Sequence, residues 1–252
     1  MASRRLMSTV NREEVLKFEA IANEWWSLNG PASGLHSMNS LRVPLVTDGL
    51  AKLGRTKVCD TPLQGLKIAD IGCGGGILSE ALARLGASVV GLDPCEANIK
   101  IARSHASLDP SITDRVNYMP ISAEDFLANH IKEPFDAVVA SEVIEHVEDP
   151  STFVSICSQL VAPGGSLFFT TINRTTGSWL GAVIAAEYVL RLLPTGTHDW
   201  NKFIRPEELA KMAEDANCHV RLVHGMFYIP GVNKWTWFPD TSVNYAMHAV
   251  KL

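Results

Sequence analysis

Charge is scarce in this chain, and long apolar runs and paired cysteines are missing from it. Charged side chains make up 19% of the 252 residues, and 27 acids against 22 bases leave a net charge of -5. That balance argues against a general nucleic-acid binder, because nothing neutralises a phosphate backbone in bulk. No apolar stretch reaches the ~20 residues that cross a bilayer as a helix, so the chain is expected not to span a membrane, although a segment could lie in the interface. The five cysteines, Cys59, Cys73, Cys95, Cys157 and Cys218, form no C-x-x-C pair and no ligand-like spacing. They read as small buried hydrophobes in a reducing compartment. With 46% hydrophobic residues the composition excludes a disordered or fibrous chain. Residues 1–10, MASRRLMSTV, contain no acid. They fit a targeting remnant and equally a frayed terminus.

What is present is a regular alternation. From Leu66 the strand-like LKIADIG, ASVVGLD, RVNYMPIS and FDAVVASEV are separated by the helix-like GILSEALARLG and CEANIKIARSHA. The pattern predicts βαβ units around a parallel sheet, and its apolar runs predict helices on both faces. A helix over 150–161 is expected to stop at Pro163-Gly164-Gly165, before the strand SLFFTTIN. The alternation breaks over 174–201, an insertion, and resumes with a helix from Pro206 and two terminal strands, HVRLVHGMFY and VNYAMHAVKL. Before the sheet, helices are predicted over 11–26 and 41–53, within an N-terminal cap over 11–55. No repeat or linker divides 11–252, so the prediction is one doubly wound α/β domain.

The chemistry concentrates at strand ends. Asp70-Ile71-Gly72-Cys73-Gly74-Gly75-Gly76 leaves the first strand and opens a helix. Glycines there permit positive φ and let the backbone approach a ligand closely. Asp93 ends the second strand, 21 residues beyond Gly72, within reach of a ribose diol. A nucleoside site follows, with a merely structural glycine turn as the alternative. Two nucleosides compete. A dinucleotide wants G-x-G-x-x-G and no acid near its pyrophosphate, whereas the cationic sulfonium of S-adenosylmethionine tolerates Asp70.

On these residues the sequence resembles the class I S-adenosylmethionine-dependent methyltransferases, which implies a seven-stranded, mostly parallel Rossmann-like sheet. The resemblance implies that Gly72 and Gly74 line the methionine moiety and that Asp93 binds the ribose hydroxyls. It places Ser122-Ala123-Glu124-Asp125 beside the adenine and Ser141 near the sulfonium. The segments FEAIANEWW, MNSLRV, SEVIEHVEDP and NRTTGSWLGAVIAAEYVLRLLPTGTHDWNKFIRPEEL extend it over nearly the whole chain to the O-methyltransferases of ubiquinone biosynthesis. That family methylates catechol hydroxyls on polyprenylated rings. The resemblance implies that Arg42 contributes to the cofactor site through the methionine carboxylate, and that the enzyme sits on the matrix face of the inner mitochondrial membrane within a multi-enzyme complex. A bacterial member would be a cytoplasmic protein at the inner membrane.

Glu142, Glu145 and His146 could bind a divalent cation or act as base and orienter, and the same E-x-x-E-H stretch is structural in many metal-free methyltransferases. In the ubiquinone family they resemble magnesium ligands. A phenol of pKa ~10 needs its ionisation assisted, by a chelated cation or by His146 as base. His198 and Asp199 could close over the acceptor as a lid, or hold only their own loop. The apolar stretch 179–193 has Glu187 and Arg191 as its only charges. As a helix it would span about 22 Å, suited to lying on a membrane beside a tail-bearing substrate, or to burial. Three other readings remain: another small-molecule class I methyltransferase, a Rossmann-type NAD(P)-dependent oxidoreductase, and a non-catalytic scaffold.

Overall fold

In the computed structural model the strands leading to Asp70 and Asp93 lie side by side, as their apolar runs require. The structure describes residues 8–131, 133–175 and 202–252. The apolar stretch 179–193 and the pair His198 and Asp199 lie outside the described residues.

Five parallel strands form the body of the sheet: β1 (Lys67–Ile71), β2 (Ser88–Leu92), β3 (Val116–Met119), β4 (Phe135–Ser141) and β5 (Val161–Ile172). Successive residues of β1 face opposite ways, so Ile68 joins the cluster with Leu82, Ile99 and Phe168 while Ala69 and Ile71 join that with Phe153, Leu160 and Leu209. Burial on both faces explains why the run lacks polar alternation. The connecting helices are α3 (Ile77–Arg84), α4 (Glu96–Ala106), α5 (Ala123–Asn129) and α6 (Pro150–Leu160). Pro150 opens α6 at a position that needs no N–H, and the Asp149 side chain accepts from the Thr152 amide as its cap.

After α7 (Pro206–Asp215) come β6 (Cys218–Ile229), β7 (Lys234–Phe238) and β8 (Asn244–Lys251). The sheet order is β3-β2-β1-β4-β5-β8-β6-β7, with β8 antiparallel to β5 and β6. The sheet thus has eight strands where seven were expected. The extra one, β7, forms a hairpin with β6 in which Trp235 lies opposite Tyr228. It is held because Trp235 buries its ring and donates to the Gly34 carbonyl.

Two boundaries also moved. The first helix, α1 (Arg12–Ala20), is followed by a separate 3₁₀ turn, Ala22–Glu24, instead of running to residue 26. The second, α2 (Ser33–Ala51), starts eight residues before the expected Leu41, within a segment whose glycine and serine read as loop. Tertiary contact overrides propensity there: the Gly34 carbonyl accepts from Trp235 Nε1 at 2.9 Å and Met38 is buried in the core. Pro163-Gly164-Gly165 falls inside the irregular start of β5, with Gly164 at φ +70°, and not between helix and strand.

Strand order reverses between β1 and β4, and in such sheets ligands bind beyond the carboxyl ends of the strands at that point. Residues 9–42 fold across this crevice.

Candidate active site

A cavity of about 710 Å³ opens at the carboxyl ends of β1 to β4, and Arg42, Gly72, Gly74, Asp93, Ser141, Glu142, Glu145 and His146 all line it. The structure therefore brings these eight residues singled out in the sequence to one cavity. Ser122, the cap of α5, and Ala123 and Glu124 in its first turn also line it, whereas Asp125 does not.

At one end the β1 turn coils through three left-handed glycines, with φ of +67° at Gly72, +53° at Gly74 and +87° at Gly76. A Cβ on Gly72 would stand 2.5 Å from Cγ2 of Val143, so this residue is bare partly to let the β4 loop approach. Gly74 donates its N–H to Oδ2 of Asp93 at 3.0 Å, and the Cys95 amide donates to Oδ1 at 2.8 Å. Burial pushes the Asp93 carboxyl up, against these bonds. Oδ2, with Gly74 as its one donor, keeps a lone pair for a ribose hydroxyl. Asp70 is buried beneath the turn, where Ser79 donates to it at 2.6 Å. Burial raises its pKa to about 6, opposed by Ser79 and Arg42.

Arg42 rises from α2, buried, its pKa lowered by burial to about 10. Its Nε and Nη2 donate to Asn39 Oδ1, Nη2 also donates to the Leu35 carbonyl, and Nη1 donates to Ser141 Oγ at 3.1 Å. One N–H of five is left, so the guanidinium cannot offer a two-pronged fork to a carboxylate as it stands. Ser141 Oγ lies 2.7 Å from Thr170 Oγ1, which donates to Glu142 Oε1 at 2.8 Å. Each hydroxyl has one proton, so the chain runs in a single direction, from Arg42 through Ser141 and Thr170 to Glu142.

Glu142 sits at φ +56°, a strained conformation for a residue with a side chain. Burial, then the neighbouring Glu145, raises its pKa to about 7. Glu145 is buried and accepts from Thr171 Oγ1 at 2.9 Å, and burial raises it too. Thr170 and Thr171 are successive residues of a strand and face opposite ways, so they draw the two carboxylates apart. His146 is engaged elsewhere again, with Nδ1 2.9 Å from Oε2 of Glu14. The expected ligand set is thus not assembled. Among the described residues no group of three His, Cys, Asp or Glu side chains is placed to hold a metal ion.

Glu14 is a site residue that sequence reasoning missed. It lies on α1, whose cap Asn11 accepts from the Glu13 and Glu14 amides and so sets the first turn across the cavity mouth. His146, then Lys17, hold its pKa down at about 2 despite burial. An ionised Glu14 can only accept, so His146 Nδ1 carries the proton and Nε2 keeps the lone pair. Burial alone would lower the His146 pKa, but Glu14, with Glu145 and Glu142, raises it on balance. The ring edge of His146 also packs on Phe18, with centroids 5.2 Å apart.

Comparison with known proteins places this geometry in a family. A family profile described as "Methyltransferase domain" matches residues 22–223. The chain is 48% identical over 243 residues to the mitochondrial ubiquinone biosynthesis O-methyltransferase of Rattus norvegicus, covering 96% of this chain and 70% of the relative. To the Homo sapiens protein of the same name it is 47% identical, spanning 97% of this chain and 66% of the relative's length. To the ubiquinone biosynthesis O-methyltransferase of Methylobacterium sp. it is 45% identical, covering 96% and 95%. Among solved structures, magnesium protoporphyrin IX methyltransferase from Synechocystis with bound SAH shares the fold, with a TM-score of 0.62 at 21% identity over 88% of this chain and 85% of that one. The N-methyltransferase NodS of Bradyrhizobium japonicum, in complex with S-adenosylhomocysteine, matches with a TM-score of 0.60 at 15% identity over 94% and 98%. The glycine spacing and Asp70 had favoured a methyl donor over a dinucleotide, and the relatives agree: this chain belongs to the ubiquinone biosynthesis O-methyltransferases, a family with the class I methyltransferase fold.

Proposed function

We propose that the protein transfers a methyl group from S-adenosylmethionine to a catechol hydroxyl of polyprenyl dihydroxybenzoate and demethylubiquinol intermediates. The observation that carries this reading is one cavity that joins the glycine turn and Asp93 at one end to the Glu14–His146 pair at the other. Asp93 and the turn hold the nucleoside, leaving the sulfonium toward the β4 loop. Methyl transfer is an in-line displacement on carbon, so the acceptor oxygen must arrive deprotonated or lose its proton as it attacks. Nε2 of His146 takes that proton, and Glu14 stabilises the imidazolium that results. The apolar walls exclude water and strengthen both interactions.

The proposal includes a divalent cation, magnesium, on the chemistry of its donors. Two carboxylates and an imidazole can ligate a divalent cation, and burial, then Glu145, raises the Glu142 pKa, a charge that a cation would offset. Such an ion would lower the phenol's pKa when bound, and holding it requires the three side chains to leave Thr170, Thr171 and Glu14.

We place the protein peripherally on the matrix face of the inner mitochondrial membrane, in contact through residues 179–193, as part of a ubiquinone-synthesis complex. The support is the mitochondrial naming of its eukaryotic relatives and the apolar sequence of that segment. Among the described residues no helix is long and apolar enough to cross a membrane. Equal liposome flotation with and without residues 174–197 would refute the contact. Methyl transfer from labelled donor to a short-chain prenylated catechol, with and without chelator, tests the rest. Absence of a methylated product overturns the function, and full turnover in chelator overturns the cation.

A further inference from the structure

The nucleoside end of the cavity has a wall supplied by the N-terminal cap. Trp25, just after the 3₁₀ turn, lies flat against the glycine turn: a Cβ on Gly74 would stand 2.5 Å from its Cη2, and one on Gly75 2.5 Å from its Cγ. Its Nε1 donates to Asn98 Oδ1 on α4 at 2.8 Å, and Asn98 Nδ2 donates to Asp93 Oδ1 at 3.3 Å. All three side chains are buried, Asn98 to 1% exposure, and all three line the cavity. The neighbouring Trp26 donates to the Gly75 carbonyl at 2.9 Å, so two successive tryptophans clasp the turn.

We propose that Trp25 is a positioning residue for the methyl donor: by fixing the orientation of the Asn98 amide it holds Asp93 ready for the ribose diol, and so links donor binding to docking of the N-terminal cap. This rests on the donor assigned under Proposed function. The argument is one of donors and acceptors. An indole N–H can only donate, so the atom of Asn98 that faces Trp25 must be its oxygen, and the NH₂ must face Asp93. Without the indole nothing prevents the amide from turning. Its oxygen would then face a carboxylate oxygen in a water-poor pocket, where two acceptors repel and each lacks a donor. The ribose hydroxyls need Asp93 ionised and aimed, and Trp25 contributes to both without touching the reacting atoms. Linkage is reciprocal, so a bound donor must in turn tighten the cap.

Isothermal titration with S-adenosylhomocysteine on the full chain tests the proposal, with Trp25→Phe, Asn98→Leu and the double variant beside the wild type. Trp25→Phe should weaken binding about tenfold, as expected for a lost buried hydrogen bond. The double variant should bind no more weakly than Asn98→Leu, because Trp25 acts through Asn98. In steady state the KM for the donor should rise about tenfold while kcat at saturating donor changes less than threefold. Binding within twofold of wild type in Trp25→Phe overturns the proposal, as do effects of the two single changes that multiply. Should Trp25→Phe fail to fold, wild-type affinity in Asn98→Leu overturns it equally. Loss of binding by the wild type itself would instead bring down the donor assignment, and this inference with it.

Discussion

At the nucleoside end of the cavity Gly72, Gly74, Asp93 and Glu124 sit on three consecutive strand-to-helix turns, whereas at the opposite end Glu14 and His146 are 132 residues apart and meet only because α1 folds across the mouth of β4. The first end is made mostly of backbone, with N–H groups of Gly74 and Cys95 on one carboxylate. The second is made of side chains whose states depend on one another: Glu14 is held ionised by His146, and His146 is held basic by Glu14. Backbone geometry survives small changes in charge, and a coupled pair does not. The two ends should therefore fail differently, the first in donor affinity and the second in turnover and its pH dependence.

The largest effect is expected at Gly72, which belongs to both ends because its missing side chain admits Val143. Gly72→Ala combines a left-handed backbone with a clash, about 3 kcal/mol or on the order of 100-fold in donor affinity by titration calorimetry. A variant that kept donor affinity and lost only kcat would break the division. Comparable in size is His146→Ala, expected to lower kcat by about 10² with donor affinity within threefold. Wild-type turnover at neutral pH would remove both the base and the ligand assignment.

Glu14→Gln should act by pH. A base must be unprotonated, so turnover rises with pH through the His146 pKa; removing the carboxylate that raises this pKa moves the rising limb to lower pH, and the plateau falls about tenfold. For stability, the Glu14 pKa is shifted in the opposite direction to that of His146. It lies below the ordinary 4.5, so the contribution of Glu14 is present above that value and is lost as pH falls toward about 2. Glu14→Gln should cost about 1.5–3 kcal/mol at neutral pH and make acid unfolding less steep in that window, as read by urea titration at several pH values. An unmoved pH–rate profile would show that the pair is structural.

The smallest effect belongs to Ser122, whose hydroxyl accepts from the Asp125 amide at the start of α5. Ser122→Ala should lower stability by about 1 kcal/mol, a melting shift of roughly 2–4 °C. Donor affinity should change less than fivefold, which makes this a control for local loosening at the first end.

The legibility of the two ends in the sequence follows the same division. Gly72, Gly74 and Asp93 could be read because the constraint on each is local: an apolar run ends, positive φ is required, and an acid closes the next run. Glu14, Trp25, Asn98, Thr170 and Thr171 escaped because each gains its role from a partner at least 26 residues away, as in Thr171 with Glu145. Strand β7 could have been found, since KWTWF alternates with period two, but it is short and lies between turn residues. The early start of α2 had no such signal, for its cap position Ala32 makes no side-chain bond and its first residues are poor helix formers.

The sequence by itself determined the alternation, the parallel core and the placing of ligand groups at strand ends, because periodicity and glycine's freedom act within a few residues. Only the tertiary structure decided that Glu142 and Glu145 turn to Thr170 and Thr171 instead of converging, and that His146 presents Nε2. A desolvated carboxylate takes the nearest available donor, and which donor is near depends on how distant segments pack.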